Sequence, residues 1–164
     1  MTRVAALQMT SSADLGRNLA EAGRLLREAS ERGAVVAALP ENFAFMGHDE
    51  ADKLAVAEAE GEGPIQSEIA GLARELGLWI VAGTVPLRVP GEPRVAAACL
   101  VFDAEGRRVA RYDKIHLFDV AIPGREERYR ESASVRPGEA PVCIETPAGK
   151  LGLAVCYDLR FPEL

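Results

Sequence analysis

The sequence contains three polar side chains that follow apolar segments typical of buried strands. Glu41 comes after residues 34–39, Lys114 after residues 107–112, and Cys156 at the end of residues 151–156. In open α/β sheets, ligand sites collect at the carboxyl ends of the strands. Each side chain is therefore a candidate functional group, and the three offer proton transfer, charge stabilisation and nucleophilic attack.

Glu41 is a candidate general acid–base group. It directly follows Leu39-Pro40 and precedes apolar residues, so we expect partial desolvation to favour its protonated form. A carboxyl group tuned in this way suits proton transfer. The alternative is a structural carboxylate that caps the next helix, and Glu41 taken alone does not separate the two interpretations.

Lys114 is a candidate for charge stabilisation. It lies between Tyr112 and His116 among aromatic and aliphatic neighbours, where a fixed cation could stabilise negative charge developing on an oxygen. The alternative is a surface lysine whose stem packs along the sheet. His116 could act as a base, but its spacing from Lys114 is explained more simply by a hydrogen-bonded packing residue.

Cys156 is a candidate nucleophile. It closes its predicted strand at a strand-to-loop corner, a geometry that exposes a side chain and points the following N–H groups at a substrate. A neighbouring lysine and a base would raise its thiolate fraction. The alternative is an inert, small hydrophobic residue, and Cys99 and Cys143 fit that description because each lies inside an apolar run.

Composition and charge argue against several classes of protein. The chain has 164 residues, 48% of them hydrophobic, and carries 19 Lys and Arg against 25 Asp and Glu, a net charge of −6. This acidic balance argues against a nucleic-acid partner. No apolar run approaches the ~18–20 residues that span a membrane, and the apolar start is too short for a signal peptide, so we expect a cytoplasmic protein. Three cysteines and two histidines argue against a disulfide framework and a metal site.

Hydrophobic periodicity predicts the elements that must position these side chains. Continuous apolar runs predict buried strands at 4–9, 34–39, 78–85, 95–102 and 107–112, the last two joined by a hairpin turn at 103–106. Apolar stripes predict amphipathic helices from Leu15 to Ala29, closed by Gly33, and from Pro64 to Leu76, closed by Gly77.

The remaining segments predict connections and one more hairpin. The acidic segment 48–62 predicts a surface helix or loop, and the Arg/Glu-rich segment 124–134 predicts a loop. Segments 142–145 and 151–156 predict a second hairpin around residues 147–149. This order predicts a layered α/β sheet with helices on one face, in a single domain over residues 1–164.

Several segments together resemble the nitrilase superfamily of carbon–nitrogen hydrolases, whose catalytic residues run Glu, Lys, Cys along the chain. The resemblance extends from Val4 to Leu164 and is carried by residues 6–8, 39–41, 112–119, 146–150 and 156–163. The segment Cys156-Tyr157-Asp158-Leu159-Arg160-Phe161 is similar to the branch that contains ω-amidase and deaminated-glutathione amidase.

The resemblance implies an α-β-β-α sandwich that hydrolyses non-peptide carbon–nitrogen bonds without a metal or organic cofactor. Glu41 would act as the base, Cys156 would attack an amide carbon, and Lys114 with the backbone N–H of Tyr157 would hold the oxyanion. A further glutamate of the family, which helps to position the lysine and the substrate, corresponds to Glu131. The intact protein would be a homo-oligomer.

The amidase branch implies a small-molecule amide substrate that bears a carboxylate. Arg160 is a candidate to bind that carboxylate, and the alternative is an ion pair with Glu163. N-carbamoyl hydrolysis and nitrilase activity on the same scaffold stay open.

The length of the chain raises an alternative of a different class. Family domains are considerably longer, and the chain stops eight residues after Cys156. We therefore expect residues 1–164 to be the N-terminal portion of such a domain, without its C-terminal part. A non-catalytic fragment or an interaction module is the alternative, because the missing elements would leave apolar sheet surface exposed.

Overall fold

The largest sheet contains six strands. A computed structural model describes residues 2–121, 124 and 128–164. The six strands are β1 (Val4–Ala6), β2 (Val36–Leu39), β3 (Trp79–Arg88), β4 (Val95–Phe102), β5 (Arg108–Asp113) and β8 (Val135–Arg136). Two hairpins stand apart from this sheet: β6 (Asp119–Ala121) with β7 (Arg128–Arg130), and β9 (Cys143–Thr146) with β10 (Gly149–Gly152).

The direction of the strands determines where the candidate residues meet. Strands β1, β2 and β3 are parallel, β3–β4 and β4–β5 are antiparallel, and β8 pairs in parallel with the start of β4. Strand β5 therefore runs in the same direction as β2. Because their carboxyl ends lie at the same edge of the sheet, the residues that follow Leu39 and Asp113 approach each other.

Two helices cover one face of the sheet, as predicted. Helix α1 (Leu15–Glu31) begins after Asp14, whose carboxylate accepts a hydrogen bond from the N–H of Arg17 at 3.0 Å. Helix α2 (Pro64–Leu76) ends at Gly77, which adopts the left-handed conformation with φ 60°. Residues of both helices and of the sheet form the main core, among them Leu26, Ile65, Ile69, Ile80 and Leu100. None of the helices in the described residues is long and apolar enough to cross a membrane.

The other face of the sheet packs against the segment that carries the candidate nucleophile. A second core joins Cys99, Val101 and Tyr112 on the sheet to Leu153 and Val155, with residues of the β9–β10 hairpin packed around it. The described residues thus form one helical layer and one large sheet, and a small hairpin lies on the opposite face. The predicted α/β class, with helices on one face, is confirmed.

Three predicted elements were wrong in part. The strand predicted over 4–9 ends at Ala6. The strand predicted over 151–156 ends at Gly152, and Cys156 begins a 3-10 helix (Cys156–Arg160). Leu153 still donates its N–H to the carbonyl oxygen of Val142 at 3.0 Å, but the N–H of Val155 donates to the Asp158 side chain at 2.9 Å and not to a neighbouring strand.

The loop predicted over 124–134 was also wrong in part. It contains β7 and a 3-10 helix (Glu131–Ala133), while residues 125–127 of this prediction lie outside the described residues. In the acidic segment 48–62, a 3-10 helix (Glu50–Val56) is present. Glu58 there is buried, because its carboxylate accepts the N–H groups of Ile65 and Gln66 at the start of α2.

Candidate active site

Lys114 lies between two glutamates that are distant in sequence. Its Nζ atom is 2.7 Å from Oε1 of Glu41, and 3.1 Å and 3.0 Å from the two carboxylate oxygens of Glu131. The lysine is only 2% exposed, so the alternative of a surface lysine along the sheet is wrong. Burial by itself lowers the pKa of Lys114, but the two carboxylates outweigh this effect and raise the pKa. The side chain is therefore a fixed cation at neutral pH.

The approach of Glu41 depends on a close contact between two backbone segments. Gly83 has φ 35°, and a Cβ atom at this position would lie 1.8 Å from the carbonyl oxygen of Pro40. Asn42, which follows the glutamate, has φ 55° and donates its N–H to Oγ1 of Thr84 at 2.8 Å. These contacts turn the chain sharply after β2 and direct Glu41 toward Lys114.

A second close contact positions Lys114. The carbonyl oxygen of Lys114 accepts the N–H of Gly138 at 2.8 Å, and its own N–H donates to Ala97 at 3.0 Å. A Cβ atom on Gly138 would lie 2.0 Å from the carbonyl oxygen of Asp113. Asp113 itself pairs with Arg111 at 2.8 Å and does not contact the lysine ammonium.

Glu131 contacts both the lysine and its supporting loop. It begins the 3-10 helix Glu131–Ala133, is buried, and accepts the N–H of Phe118 at 2.7 Å besides its contacts with Lys114. The sequence pattern predicted a loop here, and only the resemblance to a family singled out this glutamate.

Cys156 occupies an unusual backbone conformation. Among the described residues, Cys156 (φ 47°) and Asn42 (φ 55°) are the non-glycine residues with positive φ. Such conformations cost energy and are found preferentially at functional sites. Cys156 is exposed, and it is the first residue of its 3-10 helix rather than the last of a strand.

The environment of Cys156 keeps its thiol protonated. Partial burial of the sulfur raises its pKa, the negative charge of Glu41 raises it further, and Lys114 opposes the shift without reversing it. Lys114 thus acts in the expected direction, but burial and Glu41 outweigh it, so the pKa of the thiol is raised in the resting protein. Attack by this sulfur needs a base at the moment of reaction, and Glu41 is the carboxylate that acts on the thiol most strongly, ahead of Glu131.

The backbone N–H of Tyr157 has no acceptor among the described residues. It directly follows Cys156, so it is available to a negatively charged oxygen of a bound molecule. The turn is held by Asp158, which pattern reasoning did not single out even though it lies in the motif Cys156-Tyr157-Asp158. Asp158 accepts four hydrogen bonds and is almost fully buried.

Three candidate residues remain, namely Arg160, Cys99 and Cys143. Arg160 is exposed on the 3-10 helix that begins at Cys156, and within the described residues it forms no ion pair with Glu163. Cys99 is buried in β4 as expected, whereas Cys143 is exposed on β9, so the expectation of a buried residue was wrong there. In the described part of the chain, no group of three His, Cys, Asp or Glu side chains is arranged to hold a metal ion.

Comparisons with known proteins identify a matching family and similar folds. The family model described as carbon-nitrogen hydrolase matches residues 3–164. A deaminated glutathione amidase from Yersinia enterocolitica is 40% identical over 162 residues, which cover 98% of this chain and 56% of that relative.

Two solved structures have the same fold as this chain. The NitFhit protein of C. elegans has a TM-score of 0.86 at 34% identity, with 98% of this chain and 39% of that chain covered. A mutant of the amidase from Nesterenkonia sp. AN1 has a TM-score of 0.80 at 31% identity, with 99% and 60% covered. The chain therefore spans only about 40–60% of the length of the proteins that it matches.

Proposed function

The chain belongs to the carbon–nitrogen hydrolase family, and from this premise we propose that it carries the catalytic residues of a cysteine-dependent amidase. The observation that carries the proposal is the cluster of Glu41, Lys114 and Glu131 beside Cys156. The relative from Yersinia is named an amidase. The amidase from Nesterenkonia is described with acrylamide added to its active-site cysteine.

The geometry supports a two-step reaction. Glu41 takes the proton from the thiol of Cys156 as the sulfur attacks the amide carbon, and the oxygen becomes negatively charged. The Lys114 ammonium and the N–H of Tyr157 hold this oxygen. Glu41 then gives its proton to the leaving nitrogen, ammonia departs, and the acyl group stays on sulfur as a thioester. Water, deprotonated by Glu41, releases the acid and restores the thiol.

We propose a small amide that bears a carboxylate as the substrate, of the kind handled by ω-amidase or deaminated-glutathione amidase. The name of the Yersinia relative supports this class. Arg160 is exposed close to the nucleophile in sequence and is a candidate to bind the substrate carboxylate. A guanidinium forms bidentate hydrogen bonds with a carboxylate, which would orient the amide.

The experiment that tests the proposal is an assay of ammonia release over a panel of amides. Succinamate and α-ketoglutaramate represent the proposed class, and an N-carbamoyl compound and a nitrile represent the alternatives on the same scaffold. We expect release from the first pair, lost in Cys156→Ala and retained in Cys143→Ala. No release from any amide by the folded protein would overturn the proposal and favour a non-catalytic role.

Cytoplasmic location and homo-oligomer formation complete the proposal. All three cysteines are free thiols, which fits a reducing compartment. Fractionation of cells would test the location, and sedimentation would test the oligomeric state.

A further inference from the structure

Asp158 joins two segments that pattern reasoning treated as separate. Its Oδ1 atom lies 2.9 Å from the N–H nitrogen of His116 and 2.7 Å from Nδ1 of the same residue. Its Oδ2 atom lies 2.6 Å from the hydroxyl of Tyr112 and 2.9 Å from the N–H nitrogen of Val155. The carboxylate is 1% exposed, so these four groups replace water entirely.

The carboxylate of Asp158 is ionised. Burial raises its pKa, but the hydrogen bonds from Tyr112, His116 and Val155 outweigh this effect, and the pKa is lowered. An ionised carboxylate only accepts hydrogen bonds, so Nδ1 of His116 carries a proton and donates it. The ring of His116 also stacks on Phe161, with centroids 3.7 Å apart. This arrangement agrees with the interpretation of His116 as a packing residue.

The four donors flank the two candidate catalytic residues. Lys114 lies between Tyr112 and His116 along the chain, and Cys156 lies between Val155 and Asp158. We propose that Asp158 is a positioning residue, whose carboxylate holds the nucleophile turn in register with the lysine segment. The inference rests on the proposed function, since it assigns Asp158 a role in aligning Cys156 for attack. The hydrogen bond to Val155 spans the turn in which Cys156 adopts its positive φ.

Asp158→Asn separates this role from simple packing. The amide has nearly the same shape but replaces one acceptor oxygen by an NH₂ group. Tyr112 and the His116 ring can reverse their hydrogen bonds, whereas the backbone N–H groups of Val155 and His116 cannot. One of these two backbone groups therefore loses its acceptor in either orientation of the amide, and the turn relaxes.

Asp103 offers a matched control. It is 2% exposed and organises the turn between β4 and β5, where it accepts the N–H groups of Glu105 and Arg107. This turn lies at the edge of the sheet opposite to Lys114. Asp103→Asn thus also takes an acceptor oxygen from two backbone N–H groups, and weakens an ion pair with Arg107, without touching the turn that carries Cys156.

The three cysteines report on the outcome when the protein is alkylated with iodoacetamide over a range of pH and analysed by peptide mass spectrometry. Cys143 is exposed and reports the reactivity of the reagent, Cys99 is buried and reports unfolding, and Cys156 reports the geometry of the site. When the turn is released, the sulfur of Cys156 becomes more exposed to solvent and lies farther from Glu41. The alkylation midpoint is the pH at which a cysteine reacts at half its maximal rate. We expect the midpoint of Cys156 to fall by about one pH unit in Asp158→Asn.

Further readouts accompany this shift. Cys99 should stay protected, and kcat for ammonia release should fall about tenfold or more with a smaller change in KM. Asp103→Asn should leave the midpoint of Cys156 unchanged. An unchanged midpoint in Asp158→Asn with Cys99 protected would overturn the proposal, as would an equal shift in Asp103→Asn.

A second variant covers the case in which Asp158→Asn unfolds and Cys99 becomes reactive. Tyr112→Phe removes one of the four hydrogen bonds to Asp158, together with the weaker one that the hydroxyl accepts from the N–H of Ile115, and keeps the buried ring. We expect a smaller shift of the Cys156 midpoint in the same direction, and no shift would contradict the assignment. Alkylation needs no substrate, so it tests the role of Asp158 even in a protein that releases no ammonia. The absence of ammonia release would refute the proposed function alone.

Discussion

The Nζ atom of Lys114 lies 2.7 Å from Oε1 of Glu41, although the two residues are separated by 73 positions in sequence. The contact joins the end of β5 to the end of β2 and places a buried cation against two carboxylates, since Glu131 contacts the same ammonium. A charged group in such a site is stable only with its partners. The same ion cluster therefore supports the fold and the proposed chemistry.

Removal of the buried cation should cost both activity and stability. In Lys114→Met, the carboxylates of Glu41 and Glu131 face each other without a counter-ion. We expect ammonia release to be lost and the free energy of unfolding to fall by about 3 kcal/mol in urea denaturation. Lys150→Met, at an exposed lysine, should change neither quantity appreciably. Equal effects of the two substitutions would contradict the account.

Glu41→Gln should move two measurements in opposite directions. The variant lacks the negative charge that helps to raise the pKa of Cys156, so iodoacetamide should modify this cysteine faster at pH 8. Without the base, ammonia release should fall about a hundredfold or more. Glu145→Gln, at an exposed glutamate near Cys143, is the control. Slower alkylation of Cys156 in Glu41→Gln would show that the charge of Glu41 does not govern the thiol.

A methyl group on Gly83 should displace Glu41. The added Cβ atom would lie 1.8 Å from the carbonyl oxygen of Pro40, and φ is 35°, so Gly83→Ala must move the backbone before Glu41. We expect a loss of about 2–3 kcal/mol of stability together with loss of turnover. Gly71→Ala in α2 meets nothing within 4 Å and should stabilise the protein by about 0.5–1 kcal/mol with turnover unchanged. Full activity in Gly83→Ala would refute the contact as the means of positioning Glu41.

The stability contributed by Asp158 should depend on pH in acid. Its pKa in the folded protein is lower than the ordinary value of 3.8, so the folded state holds its proton less tightly than the unfolded state. This contribution is complete above pH 3.8 and is lost as the pH falls through the folded pKa. In urea denaturation at pH 6, the free energy of unfolding of Asp158→Asn should be about 1–3 kcal/mol lower than that of the wild type. The difference should shrink below pH 3.8. A difference that stays constant with pH would argue against an ionised Asp158.

The layered architecture could be predicted from the sequence because its signals are local. The stripe from Pro64 to Leu76 with Gly77 behind it marks a helix, and the observed α2 has these bounds. The run at 95–102 is β4, residue for residue. Glu41, Lys114 and Cys156 could be singled out because each follows an apolar segment, and their catalytic roles stay predictions.

The remaining features depend on contacts between distant residues, which no local pattern records. The segment 151–156 has the composition of a strand, yet its backbone N–H at Val155 binds the Asp158 side chain instead of a neighbouring strand. Glu131 lies in a polar segment that resembles a loop, and its burial follows only from the position of Lys114. The raised pKa of Cys156 likewise depends on burial of the sulfur and then on Glu41, which is far away along the chain.

The central claim is that Cys156 forms a thioester with the acyl group of an amide, and peptide mass spectrometry of protein quenched during turnover tests it most directly. With α-ketoglutaramate, we expect the peptide that contains Cys156 to gain the mass of the substrate less ammonia. Cys156→Ala should carry no such adduct and release no ammonia. An acyl group found instead on Cys143, or undiminished ammonia release by Cys156→Ala, would contradict the account.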